Sequence, residues 1–288
     1  MALNVSVFKV RTVSAILFAI IMLAGLVWNQ WSFFILFTII QLGCLYEYQK
    51  LMGLVFASYQ KIHPIHKWGL LLLGVVMMMT LAPNSLGIGD MSIKYVGSKI
   101  LPIVLGAMLA GEIIKFKKGE SLQNIAISFF GLIYIPMCLS LMFQLRNFMM
   151  NSFFINWAFS IPLLVIASIW INDTMAYIVG SFIGKTPLSS VSPNKTWEGT
   201  IAGIVLSVIV VTKVLGIWVP IQEKYIFMIS AVASVAGTFG DLFESKLKRM
   251  AGVKDSGRMM PGHGGFLDRF DSILFAVPFV WLLLQLLF

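Results

Sequence analysis

Apolar runs close to the length of a bilayer-spanning helix recur along almost the whole chain. About 20 apolar residues in a helix cross a hydrocarbon core of about 30 Å. A chain built from such runs has few folds open to it, because every backbone amide inside lipid must find its partner within a helix or a closed barrel. The runs do not alternate with a period of two, which argues against an outer-membrane barrel. Only 11% of the 288 residues are charged and 59% are hydrophobic, whereas a soluble domain carries about 25% charged residues. The expectation is an all-α polytopic integral membrane protein with about nine transmembrane helices. They fall roughly at 12–28, 31–47, 68–83, 98–115, 122–145, 155–180, 198–217, 225–247 and 270–288. The first run lacks a cleavage site with small residues and reads as a span, not a removed signal peptide.

The formal net charge is +9, and its distribution matters more than its total. Lys and Arg accumulate in cytoplasmic loops. With the N-terminus in the cytoplasm, 16 of the 21 Lys and Arg fall on the cytoplasmic side, leaving only Lys94, Lys99, Arg146, Lys213 and Lys224 on the other. That orientation places the segments 181–197 and 248–269 together in the cytoplasm, and nine spans send the C-terminus outside. The 49–67 stretch reads as a basic loop holding His63 and His66. Cys44 and Cys138 lie inside apolar runs and read as buried small residues, not a disulfide framework. The three histidines, His63, His66 and His263, are too scattered for a zinc motif. No convincing internal repeat is visible.

Two stretches concentrate the polar chemistry. The first is NDTMAYIVGSFIGKTPLSSVSPNKTWEG, residues 172–199. Asp173, Ala176, Tyr177, Gly180 and Gly184 recur three or four apart and so share a helix face. That pattern serves equally for helix packing around one polar residue or for close approach to a ligand. The loop that follows carries Lys185, Thr186, Ser189, Ser190, Ser192, Asn194, Lys195 and Thr196, a mixture suited to phosphate oxygens. Its Gly-Lys-Thr lacks the upstream glycine and strand of a P-loop.

The second stretch, DLFESKLKRMAGVKDSGRMMPGHGGFLDRFD, spans residues 241–271. Charges retained near membrane depth face a partner or a watery cavity. Asp241, Glu244, Ser245 and Lys248 form one stripe on the eighth helix. Pro261 to Gly265 must break that helix, and Asp268 and Asp271 open the last one. The carboxylates of Asp241, Asp268 and Asp271 can then converge at the edge of two consecutive helices. Such oxygen ligands suit Mg²⁺. Lys248, Arg249, Lys254, Arg258 and Arg269 surround them. Carboxylates for a metal beside cations for phosphate is the composition of a phosphoryl- or nucleotidyl-transfer site. The bland alternative is a set of salt bridges in a basic loop.

Together the two stretches resemble the phosphatidate cytidylyltransferases, or CDP-diacylglycerol synthases. The resemblance is carried by Ser245, Lys248-Arg249, Lys254-Asp255, Gly257, Pro261, His263-Gly264-Gly265 and Asp268-Arg269-Phe270-Asp271 at unbroken spacing. The earlier stretch adds Asp173-Thr174, Ala176-Tyr177, Gly180, Gly184-Lys185, Leu188, Ser192-Pro193 and Lys195 to Gly199. The family usually has Lys where Asn194 stands, often Gly at Met175, and another aliphatic residue at Met260.

The resemblance implies transfer of CMP from CTP to phosphatidic acid, giving CDP-diacylglycerol and pyrophosphate, with Mg²⁺ and a monovalent cation such as K⁺ as cofactors. It implies catalytic roles for Asp268, Asp241, Lys248, His263 and Arg269. Substrate-binding roles fall to Lys185, Ser192, Lys195, Thr196, Ser245, Arg249, Lys254, Asp255, Gly264 and Gly265. Metal ligation falls to Asp241, Asp268, Asp271 and Asp173. The N-terminal spans, 1–120, are then a separate region from a catalytic one, 121–288. Expected partners are CTP, phosphatidic acid and the lipid bilayer, with a homodimer left open and no nucleic acid. The expected location is a bacterial inner membrane with the site facing the cytoplasm. Competing readings are a CTP-using kinase of polyprenol or phytol, an ether-lipid synthase, an ion-coupled transporter and an inactive scaffold.

Overall fold

A computed structural model describes residues 5–115, 120–148, 157–258 and 264–288, with side chains described at 12–111, 122–148, 157–258 and 264–288. The architecture is helical. Its helices are α1 (Val5–Val27), α2 (Gln30–Val55), the short α3 (Ala57–Gln60), α4 (Pro64–Leu81), α5 (Ile93–Lys115) and α6 (Glu120–Leu132). They continue with α7 (Cys138–Phe148), α8 (Ser160–Ile183), α9 (Trp197–Lys213), α10 (Glu223–Met250) and α11 (Leu267–Leu287). Among the described residues, eight helical stretches are long and apolar enough to cross a membrane, α6 and α7 counting as one, and Thr12–Val27 of α1 is a shorter apolar helix. This is a multi-pass membrane protein, and the nine expected spans become eight of full length plus α1.

Local chemistry explains several boundaries. Asn29 separates α1 from α2 as a cap: its Oδ1 accepts from the Ser32 amide at 2.8 Å, and its own amide donates to Ser32 Oγ at 3.0 Å. Such a reciprocal box satisfies amides that the first helical turn leaves unpaired. The span expected at 122–145 is interrupted, because Pro136 has no amide to donate and its ring crowds the preceding turn. The chain answers with a π-helical turn over Ile133–Met137, a usual way of absorbing such a fault. A small hairpin pairs β1 (Gly87–Ile88) with β2 (Met91–Ser92) between α4 and α5.

The basic loop expected at 49–67 is mostly helix. Helix α2 continues to Val55 because its polar end is packed, not solvated. The Tyr48 hydroxyl donates to the Ile127 carbonyl at 2.9 Å, and Gln49 Nε2 donates to the Lys67 carbonyl at 3.2 Å. His63 caps α4, with Pro64 at its first position. His66 lies inside that helix, buried, with Nε2 2.7 Å from Ser128 Oγ.

The helices group into two compact units, residues 1–140 with 250–270, and residues 141–249 with 271–288. In the second unit α8 and α9 run in close contact through small residues. A Cβ added at Gly203 would meet the Asn172 carbonyl at 2.7 Å and the Ala176 Cβ at 2.8 Å, and one at Gly199 would meet the Ala176 carbonyl at 2.6 Å. Below them Ser207 Oγ donates to the Ser168 carbonyl at 2.7 Å, and Ser234 Oγ of α10 donates to Ser207 Oγ at 3.1 Å. The face shared by Ala176, Gly180 and Gly184 is therefore a packing face, whereas Asp173 and Tyr177 of the same helix are exposed.

Candidate active site

The second unit gathers ionised side chains among apolar helices. Lys195, from the loop before α9, forms an ion pair with Asp241 of α10. One turn further along α10, Glu244 is fully buried and paired with Lys248. Glu and Lys four apart on a helix meet naturally, and the burial makes this pair more than a surface decoration: removing either partner would strand a charge in a poor solvent. Asp271, near the start of α11, is 6% exposed, and its Oδ1 accepts from the Ser272 amide at 2.6 Å. Glu244, Asp173 and Lys195 are its charged neighbours. Asp173, Lys195, Asp241, Glu244, Lys248 and Asp271 thus form one electrostatic neighbourhood fed by four elements.

The loop before α9 is shaped by Glu198. Its carboxylate accepts from the Lys185 amide at 3.2 Å, from the Thr186 amide at 3.2 Å and from Thr186 Oγ1 at 2.8 Å. Leu188 donates to the Lys195 carbonyl at 2.7 Å and Trp197 to the Thr186 carbonyl at 2.9 Å, so both sides of the loop are tied together. Thr196 caps α9, accepting from the Gly199 amide at 3.2 Å. These interactions hold Lys195 in place on a loop that would otherwise be free to move. The amides of Lys185 and Thr186 are occupied by Glu198, so this loop offers an anion only its exposed side chains, Lys185 among them. Arg249 reaches from the end of α10 to the Val191 carbonyl of the same loop, at 3.5 Å.

In the first unit the rest of the motif folds around two carboxylates. Asp268 Oδ2 accepts from the Gly265 amide at 2.7 Å and from the amide and hydroxyl of Ser256, each at 3.0 Å. Glu47, from the last third of α2, does the corresponding work from outside the motif. Its carboxylate accepts from Ser256 Oγ at 2.7 Å, from the Phe266 amide at 3.0 Å and from the Leu267 amide at 2.9 Å. The first amides of α11 are therefore capped by a side chain more than two hundred positions earlier. A carboxylate suits that place on two counts: it is acceptor-only, and negative charge is favourable at a helix N-terminus. The glycines follow from this. A Cβ at Gly257 or Gly265 would collide with the Glu47 carboxylate, and Gly264 has φ +83° with the Asp268 carboxylate 2.7 Å from where its Cβ would be.

The structure thus brings Lys195, Asp241, Lys248, Asp271 and Asp173 together in one unit, and Asp268, Gly264 and Gly265 in the other. Arg269, Lys254 and Asp255 are exposed, and Ser245 is buried on α10. Ser192 contributes its carbonyl to the Lys195 amide at 3.1 Å. His263 and Met260 lie outside the described residues. No three His, Cys, Asp or Glu side chains among the described residues are grouped so as to hold a metal ion; in its own unit Asp241 is ion-paired with Lys195, and in the other Asp268 anchors the loop before α11. Glu47, Glu198 and Ser256 carry structural weight that the motifs did not assign. The available signal for Glu47 was a lone acid at the end of an apolar run.

An integral membrane protein that keeps cations and carboxylates together beneath a basic loop has the make-up of an enzyme handling phosphates. Residues 9–287 match the sequence model of the Cytidylyltransferase family. A phosphatidate cytidylyltransferase of Staphylococcus saprophyticus is 31% identical over 284 residues, 96% of this chain and 98% of that protein. One from Bacillus subtilis is 43% identical over 156 residues, 54% of this chain and 56% of that protein. One from Synechocystis sp. is 44% identical over 130 residues, 44% of each. The chain belongs to the cytidylyltransferase family, and it is accordingly a CTP-dependent nucleotidyltransferase.

Proposed function

We propose that this enzyme transfers CMP from CTP to phosphatidic acid, releasing pyrophosphate and leaving CDP-diacylglycerol in the membrane. The observation that carries the reading is the cluster of Lys195, Asp241, Glu244, Lys248 and Asp271 held among apolar helices, in a chain whose full-length relative bears that activity in its name. A phosphate oxygen of the lipid attacks the α-phosphorus of CTP. The bond to the bridging oxygen breaks, and pyrophosphate carries away the electron pair. The lipid phosphate is already a nucleophile at neutral pH, so positioning and charge neutralisation can supply most of the acceleration. Lys195 and Lys248 are pre-oriented by their acidic partners, and Lys185 and Arg249 of the same unit add positive charge for phosphates.

The proposal includes Mg²⁺. The described residues form no closed metal cage, but Mg²⁺ bound with a nucleotide usually needs only one or two protein carboxylates beside substrate phosphates and water. Asp241, at the end of its Lys195 pair and partly exposed, and Asp268 have the right chemistry for that part. When bound, the ion would neutralise triphosphate charge, with a monovalent cation such as K⁺ in the same field. We place the site at the cytoplasmic edge of a bacterial inner membrane, where soluble CTP and a membrane lipid meet.

The test is direct. Purified protein in mixed micelles receives labelled CTP, phosphatidic acid and Mg²⁺, and lipid-linked CMP is measured with released pyrophosphate. One pyrophosphate per CDP-diacylglycerol is expected. Label passing instead from the γ-phosphate of CTP to a polyprenol or phytol would overturn the reading.

A further inference from the structure

A recess of about 540 Å³ in the first unit is lined by Lys50, Leu51 and Leu54 of α2 and by the segment Val253 to Arg258 that follows α10. Its charge is one-sided. Lys50, Lys254 and Arg258 are exposed, and among the described residues none of them is in an ion pair, while Asp255 is the single acid of the lining. The opposite character comes from aliphatic groups: Leu51 is buried, and Leu54 is 52% exposed on a helix of membrane-spanning length.

The floor of the recess is fixed. Glu47 lies one turn before Lys50 on α2 and accepts from Ser256 Oγ at 2.7 Å, while Asp268 accepts from the Ser256 amide at 3.0 Å. The same helix therefore holds the Ser256 side chain and presents Lys50 on the recess. Cations held over an ordered floor lose less freedom on binding an anion than cations on a mobile loop.

We propose that this recess seats the phosphate of the lipid substrate, with Lys50, Lys254 and Arg258 as its ligands and Leu51 and Leu54 along the first carbons of the acyl chains. The proposal rests on the phosphatidate reading above. A phosphomonoester carries more negative charge than a phosphodiester and calls for several cations at once. The lining has no aromatic ring for a cytosine to stack on, and its apolar side is purely aliphatic, which suits a lipid better than a nucleotide. Lys50 belongs to an N-terminal span that the motifs leave without a role.

The experiment measures binding and turnover separately. Dioctanoyl phosphatidic acid, dioctanoyl phosphatidylglycerol and CTP are titrated calorimetrically into the purified full-length protein in detergent. Wild type is compared with Lys50→Gln, Arg258→Gln and, outside the recess, Lys61→Gln. The first two variants are expected to weaken phosphatidic acid binding about tenfold, the loss of one charge-assisted contact. They should raise its KM correspondingly and leave CTP affinity within about twofold; Lys61→Gln should change nothing. Because both side chains are exposed, the variants should retain the wild-type melting temperature. Unchanged phosphatidic acid affinity in both variants would overturn the assignment. So would a loss confined to CTP, which would make the recess a nucleotide site, or an equal loss for phosphatidylglycerol, which would make it a general anionic surface. Wild-type protein that binds phosphatidic acid at Lys50 yet transfers no CMP to it would sink the reaction reading while the recess stands.

Discussion

Glu47 shows how much one side chain can decide. It is buried within a membrane-spanning helix, where an ionised acid is costly unless its lone pairs are used. Here they are used by Ser256 Oγ and by the amides of Phe266 and Leu267. Glu47→Ala leaves the Phe266 and Leu267 amides unpartnered, at about 1–3 kcal/mol each where water cannot replace the acceptor, while Ser256 Oγ keeps its second acceptor on Asp268. A melting temperature several degrees lower and a large loss of CMP transfer are expected, read by thermal unfolding in detergent and by initial rates. Glu47→Gln keeps the shape but turns an amide group toward a donor, so it should fall between wild type and alanine; wild-type values in both variants would remove Glu47 from the account. Asp268 asks for a different experiment. Asp268→Asn retains an acceptor for Ser256 and Gly265, so the loop should stay folded. If the carboxylate charge also serves substrate or metal, transfer should fall by about two orders of magnitude or more. An unchanged melting temperature with a rate near wild type would confine Asp268 to loop anchoring.

Among the elements, α8 and α9 rely on the absence of side chains. Gly203 faces the Asn172 carbonyl and Ala176 of the opposite helix too closely for any Cβ. Gly203→Leu should force the helices apart and cost about 1–3 kcal/mol or more, and since α9 begins directly after Lys195, the Lys195–Asp241 pair should be disturbed with it. Reduced folded yield and a raised KM for CTP are the expected measurements, with wild-type behaviour counting against close packing. Most spans were legible in the sequence because a run of apolar residues near bilayer length permits little else. The end of α2 was not: Glu47, Tyr48 and Gln49 look like the start of a loop until their partners are known. Those partners, Ile127 for Tyr48 and the 256–267 segment for Glu47, lie 79 to 220 positions away. The π turn has a local cause, Pro136, which sits inside an unbroken apolar run and so does not stand out as an interruption. Spacing of three placed Asp268 and Asp271 on one helix face, but the direction of Asp268 is set by the Ser256 and Gly265 amides, which helical periodicity does not contain.

The distribution of basic residues over the whole chain predicts an orientation, one that the eight full-length apolar helices give without α1. From α2 onward, each crossing reverses the side. If all eight cross, the α2–α4, α5–α6, α8–α9 and α10–α11 connections are expected on one side of the membrane, and the α4–α5, α7–α8 and α9–α10 connections on the other. The first group carries Lys50, Lys61, Lys67, Lys185, Lys195 and the run from Lys246 to Arg258, whereas the second has Lys94, Lys99, Arg146, Lys213 and Lys224. Even within the second group Lys213 is neutralised by Glu223. Positive charge is retained on the cytoplasmic side of a membrane, so the first group should be cytoplasmic, together with the loop that carries Lys195 and the segment that carries Asp268. Three single cysteines test this, introduced after Cys44 and Cys138 are replaced by Ala. Ser190 and Lys246 are exposed in the first group, and Ile88, on the hairpin between α4 and α5, is 77% exposed in the second. A membrane-impermeant maleimide applied to intact cells should label Ile88→Cys at once, and Ser190→Cys and Lys246→Cys only after permeabilisation. The reverse pattern would put the charged cluster on the side without CTP and would rule out the proposed reaction in living cells. Labelling Ser190→Cys and Lys246→Cys from opposite sides would mean that α9 and α10 do not both cross, and would overturn the predicted orientation.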